Sequence, residues 1–195
     1  YTAPAGADTE TGTFEYWVNA ADESIVLKAG ESAVMGLADV TYNAVYKALY
    51  DVTYSFAGTT PDGVELPAAS KIAEGGIIAK PEVTVPAGYT LVWTANGATE
   101  NADGTFTAGA NDVVITGTWA KIPYSVTYVY AGTKPDGVTA PAATTLTIGE
   151  AVVAPEVTVP AGYTLTWKTE GDVDGKMGTA PVIMTGTWAK KPYEV

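Results

Sequence analysis

The 195-residue chain contains no cysteine, no histidine and no arginine. Without cysteine there are no disulfide staples, thiolate metal sites or thiol nucleophiles, and without histidine the usual general base and the commonest imidazole ligand are missing. All ten basic residues are lysines, so no guanidinium fork can grip phosphates or guanine edges. A net charge of −12 and a pI near 4.2 oppose approach to nucleic acid or an anionic membrane. No apolar run reaches the roughly 18 residues needed to span a bilayer. The stretch from Tyr1 has neither the basic nor the apolar region of a signal peptide, and reads as part of a mature or trimmed segment. What is plentiful is Thr, Gly, Ala, Val and Tyr, with 47% hydrophobic residues, a composition typical of secreted β-proteins and sufficient to fill ordinary cores.

Internal repetition decides the organisation. VTYSFAGTTPDGVELPAA (Val52 to Ala69) returns as VTYVYAGTKPDGVTAPAA (Val126 to Ala143), and PEVTVPAGYTLVW (Pro81 to Trp93) returns as PEVTVPAGYTLTW (Pro155 to Trp167), both displaced by 74. TGTWAK (Thr116 to Lys121) recurs from Thr185 to Lys190, displaced by only 69, so five residues are missing between the two tryptophans of the second of these copies. The deletion falls within Asn96 to Asn111 and predicts an exposed loop there. A divergent copy precedes these two: Gly12 to Trp17 has the spacing of Gly88 to Trp93, and Val40 to Tyr46 matches Val113 to Trp119. At the other end, KPYEV, ending at Val195, repeats IPYSV at Ile122 to Val126. The chain therefore reads as an incomplete or divergent copy over 1–49 and copies over 50–122 and 123–195.

Within a copy, Val52, Tyr54 and Phe56 alternate with Thr53 and Ser55, the period-2 mark of a half-buried strand, and Val126, Tyr128 and Tyr130 repeat it. Val83 to Val85 reads as a strand ended by the turn Pro86 to Gly88. In the closing strand Val113, Ile115, Gly117 and Trp119 share a face, as do Val182, Met184, Gly186 and Trp188, and the glycine makes room for an indole. The best helical candidate, Pro67 to Ile72, is under two turns long. The fold class is thus mainly β: small tandem modules with little helix. Trp17, Trp93, Trp119, Trp167 and Trp188 are assigned to the cores, with Tyr50, Tyr124 and Tyr193 at the junctions. The short junctions, Ala48 to Tyr50 and Ala120 to Tyr124, predict an elongated array with little swivelling.

These residues carry a resemblance. The VTYxF-like first strand, the Gly-Tyr-Thr-Leu-x-Trp segments at Gly88 to Trp93 and Gly162 to Trp167, and the terminal TGTW strand resemble the β-rich repeats of Gram-positive cell-wall adhesins. That group includes internalin-type B-repeats, mucin-binding-protein-like modules and high-identity tandem repeats of streptococcal surface proteins. The resemblance implies β-grasp-like modules used in tandem at the cell surface to project a binding domain, some of them contacting host glycans or proteins directly.

Sites of other kinds have little support. The PDG tripeptides at Pro61 to Gly63 and Pro135 to Gly137 are turn chemistry. Asn101 to Gly104 and Asp172 to Gly175 look like halves of a calcium loop, but lack the third oxygen ligand and the distant bidentate Glu. Apart from Lys121 and Lys190, which have no Asn in register, no Lys and Asn recur together at matched positions, which argues against an intramolecular isopeptide bond. Glu82 and Glu156, the best-matched carboxylates, lie in different copies and cannot form a hydrolytic pair. No catalytic residue, metal or cofactor is expected, and no nucleic-acid partner or membrane insertion. The expected partners are the neighbouring modules of the same chain and, on a second reading, a host glycan or protein reached through the junction tyrosines. On a third reading the C-terminal overhang completes a neighbour's half-module by strand addition, giving an extracellular filament.

Overall fold

The computed structural model describes residues 1–34, 36 and 38–192. Thirteen strands and no helix are found among them. The helical candidate at Pro67 to Ile72 does not form: Pro67 to Ala69 is irregular and Ser70–Ala73 is a strand. Fewer than two turns cannot offset the cost of helix nucleation, whereas pairing along a sheet edge gives the same backbone groups partners directly.

Two compact units are present, one formed by Tyr1–Val83 and Val92–Thr118, the other by Thr84–Leu91 and the chain from Trp119 onward. The first is built from β1 (Gly12–Asn19), β2 (Val26–Leu27), β3 (Tyr42–Gly58), β4 (Ser70–Ala73), β5 (Ile77–Ile78), β6 (Tyr89–Asn96), β7 (Ala98–Glu100), β8 (Phe106–Ala108) and β9 (Val113–Lys121); β6 and β9 have residues in both units. One sheet runs β2-β1-β3-β9-β6, with β4 also on β3, and a smaller one runs β5-β8-β7. β1 lies antiparallel to the front of β3, and β4 pairs antiparallel with Leu49 to Val52. Against β9, Asp51 N–H donates to the Asp112 carboxylate, Thr53 Oγ1 donates to Val113 O, and Ser55 shares a hydrogen bond with Thr116. Partners that rise together along both strands mean that the back of β3 and β9 run parallel.

The second unit repeats the arrangement with β10 (Pro123–Gly132), β11 (Thr144–Thr147), β12 (Tyr163–Glu170) and β13 (Val182–Lys190), ordered β11-β10-β13-β12. β10 and β13 pair in parallel from Val126↔Val182 to Gly132↔Trp188, and both outer pairs are antiparallel.

Alternation sets the cores. Val113, Ile115 and Trp119 of β9, and Val182, Met184 and Trp188 of β13, are at most 2% exposed, while the threonines between them face the other way. In β13 the glycine between Met184 and Trp188 on this face makes room for two rings: a Cβ on Gly186 would lie 3.0 Å from Trp167 Cζ3 and Cη2 and from Tyr130 Cδ1, and those rings would have to shift.

The segment with the deletion is a loop only in part: an exposed turn at 101–105 joins two short paired strands. In the longer copy it forms β7 and β8 and carries Phe106 and Ala108, 1% and 3% exposed. Gly75 N–H donates to Ala108 O and Ala108 N–H to Gly76 O; in the shorter copy Gly149 N–H donates to Met177 O and Met177 N–H to Glu150 O. Met177 therefore stands where Ala108 stands, and Gly175 where Phe106 stands. The large side chain has moved two residues along the same face of the chain, from Phe106 to Met177, which is 1% exposed. A flexible thioether from the neighbouring seat fills the volume that the ring fills in the other copy.

Tyr130 lies between Trp167 and Trp188, with ring centroids 5.7 and 5.5 Å away, and Phe56 holds the matching seat 5.9 Å from Trp93. The Tyr130 hydroxyl is buried without a hydrogen-bond partner among the described residues, and this desolvation pushes its pKa up. Tyr130→Phe should raise stability by about 1 kcal/mol in urea unfolding, because it removes an unsatisfied polar group from a seat another copy fills with Phe. A loss of stability would show that the hydroxyl has a partner.

Candidate functional site

Repeats with conventional linkers would show irregular chain between one copy and the next; here the first junction has none and the second a single residue, Ile122. At the first, β3 runs unbroken for 17 residues through Lys47 to Tyr50. Its register with β1 ends at Ala48↔Gly12 and its register with β4 begins at Leu49↔Ala73. Leu49 N–H also donates to Thr11 O at 2.9 Å. This junction is one residue shorter than Ala120 to Tyr124, and the residue it lacks is the proline; a strand can continue where no ladder donor is removed.

At the second junction β9 ends at Lys121 and β10 begins at Pro123. The intervening Ile122 N–H donates to Gly88 O at 2.8 Å, and at the end of the next copy Lys191 N–H donates to Gly162 O in the same way. Within the second unit, the end of one copy is held directly to the next: Lys121 Nζ donates to Ile148 O at 3.1 Å. The Pro86 to Gly88 turn packs on the same residue, so closely that a Cβ on Gly88 would come 3.1 Å from Ile148 Cδ1.

The junction tyrosines belong to this architecture. Tyr124 packs against the buried cluster of Val126, Met177, Val182 and Met184, together with Tyr128, Leu146 and Trp167. Tyr50 is half-buried and pairs with Ile72 of β4. Tyr193 lies outside the described residues. Of the tryptophans, Trp93, Trp119 and Trp188 are 4%, 2% and 1% exposed, while Trp17 and Trp167 are half-buried. The Trp17 indole N–H donates to Pro4 O. Tyr50 and Tyr124 thus sit in separate strand pairings.

The carboxylates are occupied in turns or exposed. Asp103 accepts from the Thr105 hydroxyl and N–H, and Asp172 from Gly175 N–H. Glu82 and Glu156 are exposed, in different copies. Among the described residues no three Asp, Glu, His or Cys side chains gather as a metal site. Hydrogen bonds to the Ser24 and Thr105 hydroxyls hold Asp22 and Asp103 below the ordinary carboxylate range; the Thr147 N–H does the same for Glu150, and Lys168 for Glu170. Such groups support the folded state above the ordinary carboxylate pKa, and their support is lost as the pH falls through the lowered values. The exposed pairs Lys71–Asp51 and Lys168–Glu170 add little in water.

Sequence reasoning did not find the contact of Lys121 and Gly88 with Ile148. Lys121 and Lys190 recur, as do Gly88 and Gly162, but recurrence does not reveal what the following copy places against them.

No family model matches the chain, and no curated protein matches it in sequence. Among solved structures it is similar to domains 3-4 of the Streptococcal High Identity Repeats in Tandem (SHIRT) domains from a cell surface protein. The match has 19% identity over 74% of this chain and 99% of that one, with a TM-score of 0.27.

The paired glycines give a direct test of the junction. Both have positive φ, +87° at Gly88 and +80° at Gly162, but only Gly88 has a neighbour within 4 Å. Gly162→Ala should cost about 1–2 kcal/mol from backbone strain alone. Gly88→Ala should cost more, by about 1 kcal/mol or above, from overpacking against Ile148. Equal losses in denaturant unfolding would mean that the Ile148 contact is not made.

Proposed function

We propose that the chain is a structural spacer: tandem β modules, over 50–122 and 123–195 with a divergent copy before them, that hold a binding region away from a bacterial cell surface. The observation that carries this reading is the direct joining of successive copies, through the unbroken β3 at one junction and the Lys121 and Gly88 contacts with Ile148 at the other. A repeat that ends in the strand from which the next begins gives length and stiffness without a linker that proteases could enter. The β-grasp-like description is supported by the four-stranded order β11-β10-β13-β12 with its parallel central pair, although the crossover between β11 and β12 is irregular where such folds usually carry a helix. The extracellular, cell-surface setting rests on composition and on the resemblance of the repeat motifs.

Direct binding of a host glycan by each module would call for exposed aromatic rings recurring in both complete copies. The most exposed rings among the described residues are Tyr1 and Tyr46, at 62% and 42%, and both belong to the divergent copy. The spacer reading is therefore preferred.

Small-angle X-ray scattering over a concentration series tests it. The spacer predicts an extended profile, independent of concentration, whose maximum dimension increases by a constant step when a further copy is added genetically. A compact globular profile would overturn the proposal, and growth in length with concentration would favour head-to-tail assembly instead.

A further inference from the structure

In each complete copy the strand that opens the copy and the strand that closes it are neighbours in one sheet. β10 and β13 run parallel through seven register pairs, from Val126↔Val182 to Gly132↔Trp188. Thr133 N–H donates to Trp188 O at 3.0 Å and continues the bonding one residue beyond β10. In the preceding copy the back of β3 and β9 stand in the same relation, and side chains add to the pairing through Asp51 N–H with the Asp112 carboxylate, the Thr53 hydroxyl with Val113 O, and Ser55 with Thr116.

This pairing fixes how a copy meets tension along the chain. Force enters the last copy at the start of β10 and leaves from the end of β13, so β10 is drawn toward Pro123 and β13 toward Lys190. In parallel strands these are opposite directions along a common axis. The strands can separate only by sliding past each other, and the evenly spaced bonds of the parallel ladder are then strained together. Antiparallel neighbours would be pulled from a shared end, and their bonds would open one after another.

The ladder is shielded on one face. Val126, Val182, Met184 and Trp188 are at most 2% exposed, and the Tyr130 ring packs edge-on 5.5 Å from Trp188 near the far end. Backbone hydrogen bonds are electrostatically stronger beside such a core than in water. β11, the irregular crossover and β12 all lie between the two strands in sequence, so tension does not reach them until the pair gives way.

We infer that the pair of β10 and β13, with its counterpart of β3 and β9, is a mechanical clamp: it bears tension applied along the chain and protects the rest of its copy until the whole ladder breaks in one event. The inference stands on strand pairing inside each copy and does not require the spacer role.

Single-molecule force spectroscopy with two directions of pull on one fold tests it. The chain has no cysteine of its own, so thiol handles can be set in pairs in the whole chain. Ser125→Cys with Lys190→Cys loads the ladder in shear. Lys134→Cys with Lys190→Cys loads it across the end where Thr133 meets Trp188, and peels it pair by pair. All three side chains are exposed, and handles with the denaturant midpoint of the parent leave the rate of forced unfolding as the only difference between the directions. The shear pull is expected to break in one event, at a force at least about twofold above the peeling pull at the same loading rate, because the bonds share the load. The length released should be about 200 Å, from the 65 residues Val126 to Lys190 drawn out at roughly 3.3–3.6 Å each, less the folded separation of the handles. The chain without substitutions, held by terminal tags, should show two such ruptures, one for each complete copy. Equal forces in the two directions, a shear pull weaker than the peel, or release of the shear-loaded copy in several small steps would each overturn the inference. So would an unsubstituted chain that extends without distinct ruptures.

Discussion

Parallel pairing between the strand that opens a copy and the strand that closes it is the constraint on which the rest of the structure depends. Parallel neighbours cannot be joined by a tight turn, so the chain between them must cross over and return. Here it does so through β11, the long irregular crossover and β12 before reaching β13. The closing strand then lies in mid-sheet with its apolar face covered on both sides, and the buried series Val182, Met184 and Trp188 follows from that position. Because the closing strand is central, its end emerges beside the place where the next opening strand begins. Direct junctions without linkers follow from this topology.

Much of this could be read from particular residues. The displacement of 74 and the alternation of Val126, Tyr128 and Tyr130 mark the repeats and the inward face of the opening strand. The glycine before the last tryptophan of each complete copy marks a close approach, and Gly186 does lie against the Trp167 and Tyr130 rings. These signals are local and periodic, and a strand expresses them wherever it lies in a sheet. Less legible was whatever depended on a partner distant in sequence. The Asn96 to Asn111 segment has the glycines and asparagines of a loop, yet Phe106 anchors it to the core. Its shortened counterpart loses the ring and regains the volume through Met177, a compensation visible only once the backbone bonds of Gly75 and Gly149 show which residues are equivalent. A gap in an alignment reports that length can change, and says nothing about which side chain inherits the space.

The two junctions reach continuity by different means. Where the proline is absent, the strand passes through and takes β1 and β4 as successive partners. Where Pro123 is present the ladder is interrupted for a residue, and contacts outside the ladder, from Lys121 and the Gly88 turn to Ile148, hold the end of one copy to the next. Tyr124 sits just beyond and faces the cluster around Val126 and Met184, which places an aromatic side chain where the junction meets the core.

The central claim is that the junctions are structured as firmly as the strands they join, and amide 15N relaxation measures this residue by residue. The account predicts order parameters of about 0.85 through Lys47–Asp51 and Lys121–Tyr124, no lower than in β9 and β13. Values below about 0.6 at either junction, with rigid strands on each side, would show a flexible linker and contradict the account.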